Sequence, residues 1–87
     1  MLSLRYDIVI EGKTHFVMTD ELSEGGYETM VFPEKGKTKA PVPDYAHPLY
    51  EHHHRYISEA EARKGHADMI ATMNRIHNKG GKNNENN

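Results

Sequence analysis

Histidine is the residue type best suited to chemistry in this chain, with seven among 87 residues and no cysteine. His52 and His54 lie two positions apart, so on a β-strand both imidazoles point to the same side. A third ligand from a neighbouring element would complete a zinc site, and His66 on the predicted helix is suitably placed. These are the candidate metal ligands. Because three histidines without a defined spacing between elements form a weak pattern, structural roles and no cofactor are favoured, with zinc as the alternative.

A second group combines tyrosine with arginine, the residue types that are enriched in binding hot spots. The alternative is that the tyrosines rim a small core and keep their hydroxyl groups in water. Together with His66, the candidate ligand- or partner-binding residues are Tyr27, Thr29, Arg55 and Tyr56.

Nucleophilic catalysis has little support in the residues. Cysteine is absent, and Ser58 is needed to cap the predicted helix. The glycine pair 25–26 precedes a strand rather than a helix, so no phosphate-binding loop is indicated. We therefore expect a protein that is not an enzyme.

The N-terminal third predicts a β-hairpin. Residues 4–10 and 14–18 alternate between apolar and polar side chains, and a turn signal separates them. A three-residue loop, which pairs Ile8 with Phe16, brings the two apolar faces together and is preferred. A two-residue loop would instead place Ile8 opposite His15.

Two more strands and a loop follow. Residues 27–32 are rich in β-forming side chains and end at Pro33. Residues 33–48 contain all four prolines and predict a long loop. Residues 50–57 alternate again and indicate a fourth strand at the sheet edge, which would place His52 and His54 on one face.

A long amphipathic helix is the final predicted element. Ser58 and Glu61 form a capping box at its start. An apolar stripe then recurs at helical spacing; its members are Ala62, His66, Met69, Ile70, Met73 and Ile76. We expect an α+β fold, a small antiparallel sheet of three to four strands that begins with the hairpin and packs against this one C-terminal helix. Residues 1–79 form the single domain and residues 80–87 a disordered polar tail.

Composition limits the partners and the location. The net charge of −2 and the lack of a basic stripe argue against nucleic acid. The longest apolar run, residues 8–10, is too short to span a membrane, and the N-terminus lacks a signal-peptide pattern, so a cytoplasmic protein is expected. A domain of this size without disulfides is marginal alone, which favours a homo-oligomer.

Two segments resemble a family of short uncharacterised proteins from phages and prophages of Gram-positive bacteria. The segments are YETMVF at 27–32 and RYISEAEARKGHADMI at 55–70, and the family pattern is YETMVF, a variable loop, then RYxSEEEAxxGHxxM. His66 stands at the family's GH position, and Thr29 lies in its strand motif. The resemblance implies an accessory protein in the host cytoplasm that binds a host protein or a small anionic signalling ligand, and so could counter host defence.

Two other functions stay open at the level of sequence. One is a histidine-ligated metal protein or metal-dependent hydrolase that uses His52, His54 and His66. The other is a virion or replication accessory protein whose helix docks on a larger partner.

Overall fold

A computed structural model describes residues 1–36 and 38–80 of the chain. Three strands come first, followed by a short 3-10 helix, a fourth strand and one long helix. The bounds are Ser3–Ile10 for β1, Lys13–Glu21 for β2, Tyr27–Pro33 for β3, Tyr50–His52 for the 3-10 helix, His54–Tyr56 for β4 and Glu59–Gly80 for α1. Beyond Gly80, the predicted polar tail lies outside the described residues.

The four strands form one antiparallel sheet in the order β1-β2-β3-β4. Helix α1 packs against it and contacts every strand. The predicted α+β fold class, with its N-terminal hairpin and single C-terminal helix, is therefore confirmed. Within the described ranges, no helix has both the length and the apolar character needed to cross a membrane.

The hairpin turn between β1 and β2 contains two residues, not three. Glu11 and Gly12 have positive φ angles of 51° and 81°, the combination found in a type I′ turn. Ile8 consequently lies opposite His15, and Tyr6 opposite Val17. The predicted pairing of Ile8 with Phe16 is wrong, because the twist of a type I′ turn suits a hairpin even when apolar faces do not match residue for residue.

This register decides which side chains of β2 face α1. Val17 and Thr19 lie on the helix face, opposite Val31 and Thr29 of β3, and all four are fully buried. Phe16 points to the other face, where it is also fully buried.

Phe16 is covered on that second face by charged and aromatic side chains. The Arg5 guanidinium lies 4.8 Å from the centre of its ring. Phe16 lies opposite Phe32 of β3, and the Phe32 ring meets the Tyr45 ring edge-on with 5.0 Å between ring centres. The sheet therefore buries apolar side chains on both faces, which explains how β2 carries consecutive buried residues.

The long segment after β3 returns along the open edge of that strand. Its backbone is hydrogen-bonded from Asp44 N to Pro33 O at 2.9 Å and from Leu49 N to Val31 O at 2.8 Å. The Leu49 side chain packs against the main core. The predicted loop is thus held against the sheet edge before β4 begins.

The predicted fourth strand over residues 50–57 is only partly right, since β4 contains three residues. From Leu49, bonded to Val31, to His54, paired with Thr29, this segment advances five residues while β3 advances two. The surplus is taken up by a 3-10 turn, closed by the bond from His52 N to Leu49 O at 2.9 Å. His52 and His54 consequently do not share one strand face.

The predicted start of α1 is confirmed in its hydrogen bonds. The Glu61 amide donates to Ser58 Oγ at 3.1 Å, and the Ser58 amide donates to Glu61 Oε1 at 3.3 Å. On the apolar stripe, Ala62 and Met73 are buried against the sheet, whereas Ile76 near the far end is 41% exposed.

The hairpin turn provides a test of the register. A non-glycine residue in the left-handed region is strained, and asparagine tolerates it best. Glu11→Asn should therefore raise the free energy of unfolding by about 1 kcal/mol. Lys13→Asn, two residues away and already in β2, should give no gain. Equal urea unfolding midpoints for wild type and Glu11→Asn would contradict the turn geometry.

Candidate functional site

The ring of Tyr56 at the end of β4 lies directly on the backbone of Gly65 in α1. A Cβ added to Gly65 would overlap the ring carbon Cζ and the phenolic oxygen, so a larger residue fits here only if the ring moves away. The ring also lies tilted against that of His54, with 4.7 Å between ring centres. Tyr56 therefore joins the short edge strand to the helix.

Three open grooves meet at Tyr56. The first, of about 360 Å³, lies between β4 and α1 and is bordered by Glu61, Lys64 and Asp68. The second, of about 390 Å³, lies between β4 and the glycine turn that precedes β3. The third, of about 250 Å³, runs past the 3-10 helix. Tyr56 therefore forms part of the wall of all three grooves.

Ile57, the residue after β4, projects from this end. Its exposed fraction is 89%, although isoleucine is normally a core residue. It borders the first and the second groove. We call the group of Tyr27, Arg55, Tyr56 and Ile57 the Ile57 surface. An exposed aliphatic side chain beside two tyrosines and an arginine is suited to contact with another molecule.

Both tyrosines of the Ile57 surface are neutral hydrogen-bonding groups. Burial raises the pKa of Tyr56, and the nearby Asp68 carboxylate raises it further. Loss of solvation also raises the pKa of Tyr27, with additional contributions from Glu21 and Glu59. Each phenol therefore keeps its proton near neutral pH and can donate it in a hydrogen bond.

The cations beside the grooves are paired with carboxylates. Arg55 Nε donates to Glu28 Oε2 at 3.1 Å, and His53 Nε2 lies 2.6 Å from the same oxygen. Lys64 Nζ donates to Asp68 Oδ2 at 3.0 Å. These pairs neutralise Arg55 and Lys64, and Glu61 adds a further carboxylate at the first groove. This charge distribution suits a neutral or apolar contact better than it suits a phosphate or carboxylate ligand.

A chain of polar side chains lies beneath the helix. Thr19 Oγ1 is 2.6 Å from Thr29 Oγ1 and 2.7 Å from His66 Nδ1. Both threonines are fully buried, so these mutual bonds satisfy hydroxyl groups that water does not reach. Loss of solvation lowers the pKa of His66, which favours the neutral imidazole. His66 therefore joins the middle of α1 to β2.

The residues predicted to bind a partner separate into two sets. Tyr27, Arg55 and Tyr56 lie together on the Ile57 surface, with Tyr27 directly opposite Tyr56 across the strands. Thr29 is fully buried, and the half-buried His66 is bonded to Thr19, so both side chains belong to the contact between α1 and the sheet.

Sequence reasoning missed two residues of this site. Ile57 was treated as one member of an alternating strand, and only the end of β4 after Tyr56 exposes it. The other is Gly65, which lies within the predicted helix. A glycine there costs about 1 kcal/mol relative to alanine, and this cost was the signal that something packs against it.

Two of the three predicted zinc ligands are engaged in other side-chain contacts. His66 Nδ1 is bonded to Thr19, and the His54 ring lies against Tyr56. Among the side chains of residues 1–36 and 38–76, no group of three or more histidine, cysteine, aspartate or glutamate residues is arranged to hold a metal ion. A zinc site at His52, His54 and His66 stays a prediction, and the geometry lends it no support.

Comparisons with protein-family models, with curated proteins and with solved structures find no match for this chain.

The environment of His66 predicts a pH-dependent stability. Its pKa is lowered in the folded state, so below pH 6.5 the unfolded chain binds more protons than the folded one. The free energy of unfolding should therefore fall as the pH drops from about 7 through 6.5, and the fall should end below the folded-state pKa. His66→Gln should show a shallower decline in urea titrations across that range.

His47→Asn is the matched control for this experiment, because His47 is an exposed histidine paired with Asp44. The two variants each remove one histidine, and only His66→Gln removes the half-buried histidine that is bonded to Thr19. An identical pH profile for wild type and His66→Gln would show that protonation of His66 does not oppose folding.

The packing of Tyr56 on Gly65 predicts a coupling between the two positions. In an unobstructed helix, Gly→Ala stabilises by about 1 kcal/mol. With Tyr56 present, Gly65→Ala should instead destabilise by roughly 1 kcal/mol, because the ring must move away. In a Tyr56→Ala background the same change should recover the ordinary gain. Urea unfolding of the four proteins measures the coupling, and additive effects would contradict the contact.

Proposed function

We propose that this protein is a small, non-enzymatic accessory protein of phage type that binds a host protein through the Ile57 surface. The phage origin and the host setting rest on the resemblance carried by residues 27–32 and 55–70. The mode of action rests on the geometry of the Ile57 surface. The observation that most supports this mode of action is the 89% exposure of Ile57, which borders two grooves.

The anchoring of Ile57 supports a role in binding. Tyr56, the preceding residue, contacts both the His54 ring and Gly65, so the backbone that carries Ile57 starts from a packed position. The following residue, Ser58, is bonded to Glu61 in the helix cap. A projecting apolar side chain between two fixed neighbours loses little conformational freedom on binding, which favours affinity.

The balance of charge favours a protein over a small anion. The Arg55 and Lys64 side chains are already paired with Glu28 and Asp68, so an anionic ligand would have to compete with carboxylates. An apolar pocket on a partner protein needs no such exchange, and it would bury Ile57 while the tyrosine hydroxyls bond at its rim.

A host defence protein is the target class that the phage resemblance favours. Small proteins without catalytic machinery act by occupying a surface on their target, and a surface built from a few anchors is sufficient for that. The buried hydroxyl groups of Thr19 and Thr29 serve the packing of α1 in this proposal and take no part in chemistry.

Ile57→Asp is the variant that tests this proposal. Loss of the anchor should reduce retention of the target protein from a Gram-positive host lysate at least about tenfold, the usual effect of removing a hot-spot side chain. The unfolding midpoint should not change, because the side chain is exposed in the free protein. Quantitative mass spectrometry of the proteins retained on the immobilised chain measures the effect.

Val42→Asp is the matched control, since Val42 is a 39% exposed aliphatic residue outside the three grooves. It introduces the same charge and should leave retention unaltered. If the retained proteins are equal for wild type, Ile57→Asp and Val42→Asp, the Ile57 surface does not bind a host protein. If the immobilised chain retains a small molecule and no protein, the partner is a signalling ligand and the proposed host protein is wrong.

A further inference from the structure

The first strand of the sheet has an open edge. Ile10 and Lys13 close a two-residue turn, so they form a hydrogen-bonded pair, and such pairs then recur at every second residue. The bond from Glu21 N to Leu2 O at 3.0 Å continues the same series. Even-numbered residues of β1 therefore direct their backbone groups at β2. The backbone groups of the odd-numbered residues point outward; these residues are Ser3, Arg5, Asp7 and Val9.

This edge is long and accessible. Strand β1 has eight residues, and its outward residues Ser3, Arg5, Asp7 and Val9 are all exposed. In the described ranges no other segment pairs with their backbone groups. Natural edges of this kind are usually blunted by proline, charged side chains, a bulge or a short length. β1 is long and continuous and contains no proline, and its two charges, Arg5 and Asp7, have opposite signs and can meet their complements on a second strand.

The charges on β1 are self-complementary. In an antiparallel pair of identical strands with the two-fold axis at Tyr6, Arg5 of each copy lies opposite Asp7 of the other. Both residues belong to the outward set, so the pair that carries the charges is also a hydrogen-bonded pair. Within one chain Arg5 Nε lies 2.9 Å from Asp7 Oδ1, and the two side chains are 47% and 46% exposed. The pairing of two copies therefore exchanges a surface ion pair within the chain, which is worth little in water, for the equivalent pair between chains.

The neighbouring registers are disfavoured by the same charges. A change of register that keeps the outward backbone groups opposite each other moves the axis by one residue. The axis at Arg5 places two arginines face to face, and the axis at Asp7 places two aspartates face to face. Like charges directly opposite each other destabilise a strand pair, so only the axis at Tyr6 is favourable.

We propose that the protein forms a homodimer through antiparallel pairing of β1 with β1, with the two-fold axis at Tyr6. The two sheets join into one continuous sheet, and both α1 helices lie on the same face of it. Ser3 lies opposite Val9 at each end of the pairing. The Tyr6 side chains, 43% exposed in one chain, meet across the axis and gain an aromatic contact.

The dimer is independent of the proposed host partner. Strand β1 and strand β4 are the opposite edges of the sheet, so pairing at β1 leaves the Ile57 surface open. One dimer presents two such surfaces at its far ends. A target with two equivalent sites would then be held by both.

Sedimentation equilibrium of the full chain tests the dimer. At roughly 100 μM the wild-type protein should have twice the chain mass of 10.0 kDa. Asp7→Arg places arginine opposite arginine, and Arg5→Asp places aspartate opposite aspartate. Each single variant should raise the dissociation constant at least about tenfold. Glu24→Arg, the same change of charge at an exposed turn, should dimerise as the wild type does.

Two combinations should restore association. The double variant Arg5→Asp/Asp7→Arg again places opposite charges together and should dimerise. An equal mixture of the two single variants should form a mixed dimer, although neither associates alone. Circular dichroism of each variant verifies the fold. If one single variant is less stable, association in the mixture still shows that the charge pairing causes dimerisation. A monomeric wild type, or a dimer that persists unchanged in both single variants, overturns the proposal.

Discussion

The two-residue turn at Glu11 and Gly12 determines which alternate residues of β1 and β2 face the helix, and most other features of the structure follow from that. Two left-handed residues close the hairpin without a third, and this sets Val17 and Thr19 on the side of the helix. A register slip of one residue would turn Phe16 towards the helix and would turn Val17 and Thr19 to the opposite face of the sheet. The same turn determines which backbone groups of β1 point away from β2. The composition of the core and the hydrogen-bonding pattern of the free edge therefore both depend on it.

Polar bonding under α1 gives the core its specific arrangement. Apolar side chains such as Met73 could pack on a sheet in several ways, since methionine adapts to irregular gaps. The bonds from Thr19 to Thr29 and to His66 have defined distances, and buried hydroxyl groups are costly to leave unpaired. They therefore fix where the middle of the helix lies. At the other end of the sheet, Tyr56 on Gly65 attaches β4 to the helix, and Ile57 is left facing solvent as a consequence.

The fold class and the element types could be predicted because they depend on local patterns. The capping box at Ser58, the apolar stripe of α1 and the β-forming run of β3 each act within a few residues. The hairpin register could not be obtained from matching apolar faces, because this sheet buries side chains on both of its faces. The fourth strand was overestimated because alternation over residues 50–57 cannot show that its partner strand offers too few residues.

The sequence by itself determined the presence of a hairpin, a third strand and a capped amphipathic helix, since propensity, capping and periodicity are properties of short segments. It also placed Tyr27, Arg55 and Tyr56 among the candidate surface residues. Only the tertiary structure decided that Thr29 and His66 belong to the contact between α1 and the sheet and that Gly65 makes room for a ring. Those outcomes depend on contacts between residues distant in the chain, such as Thr19 and His66, and such contacts have no local signature.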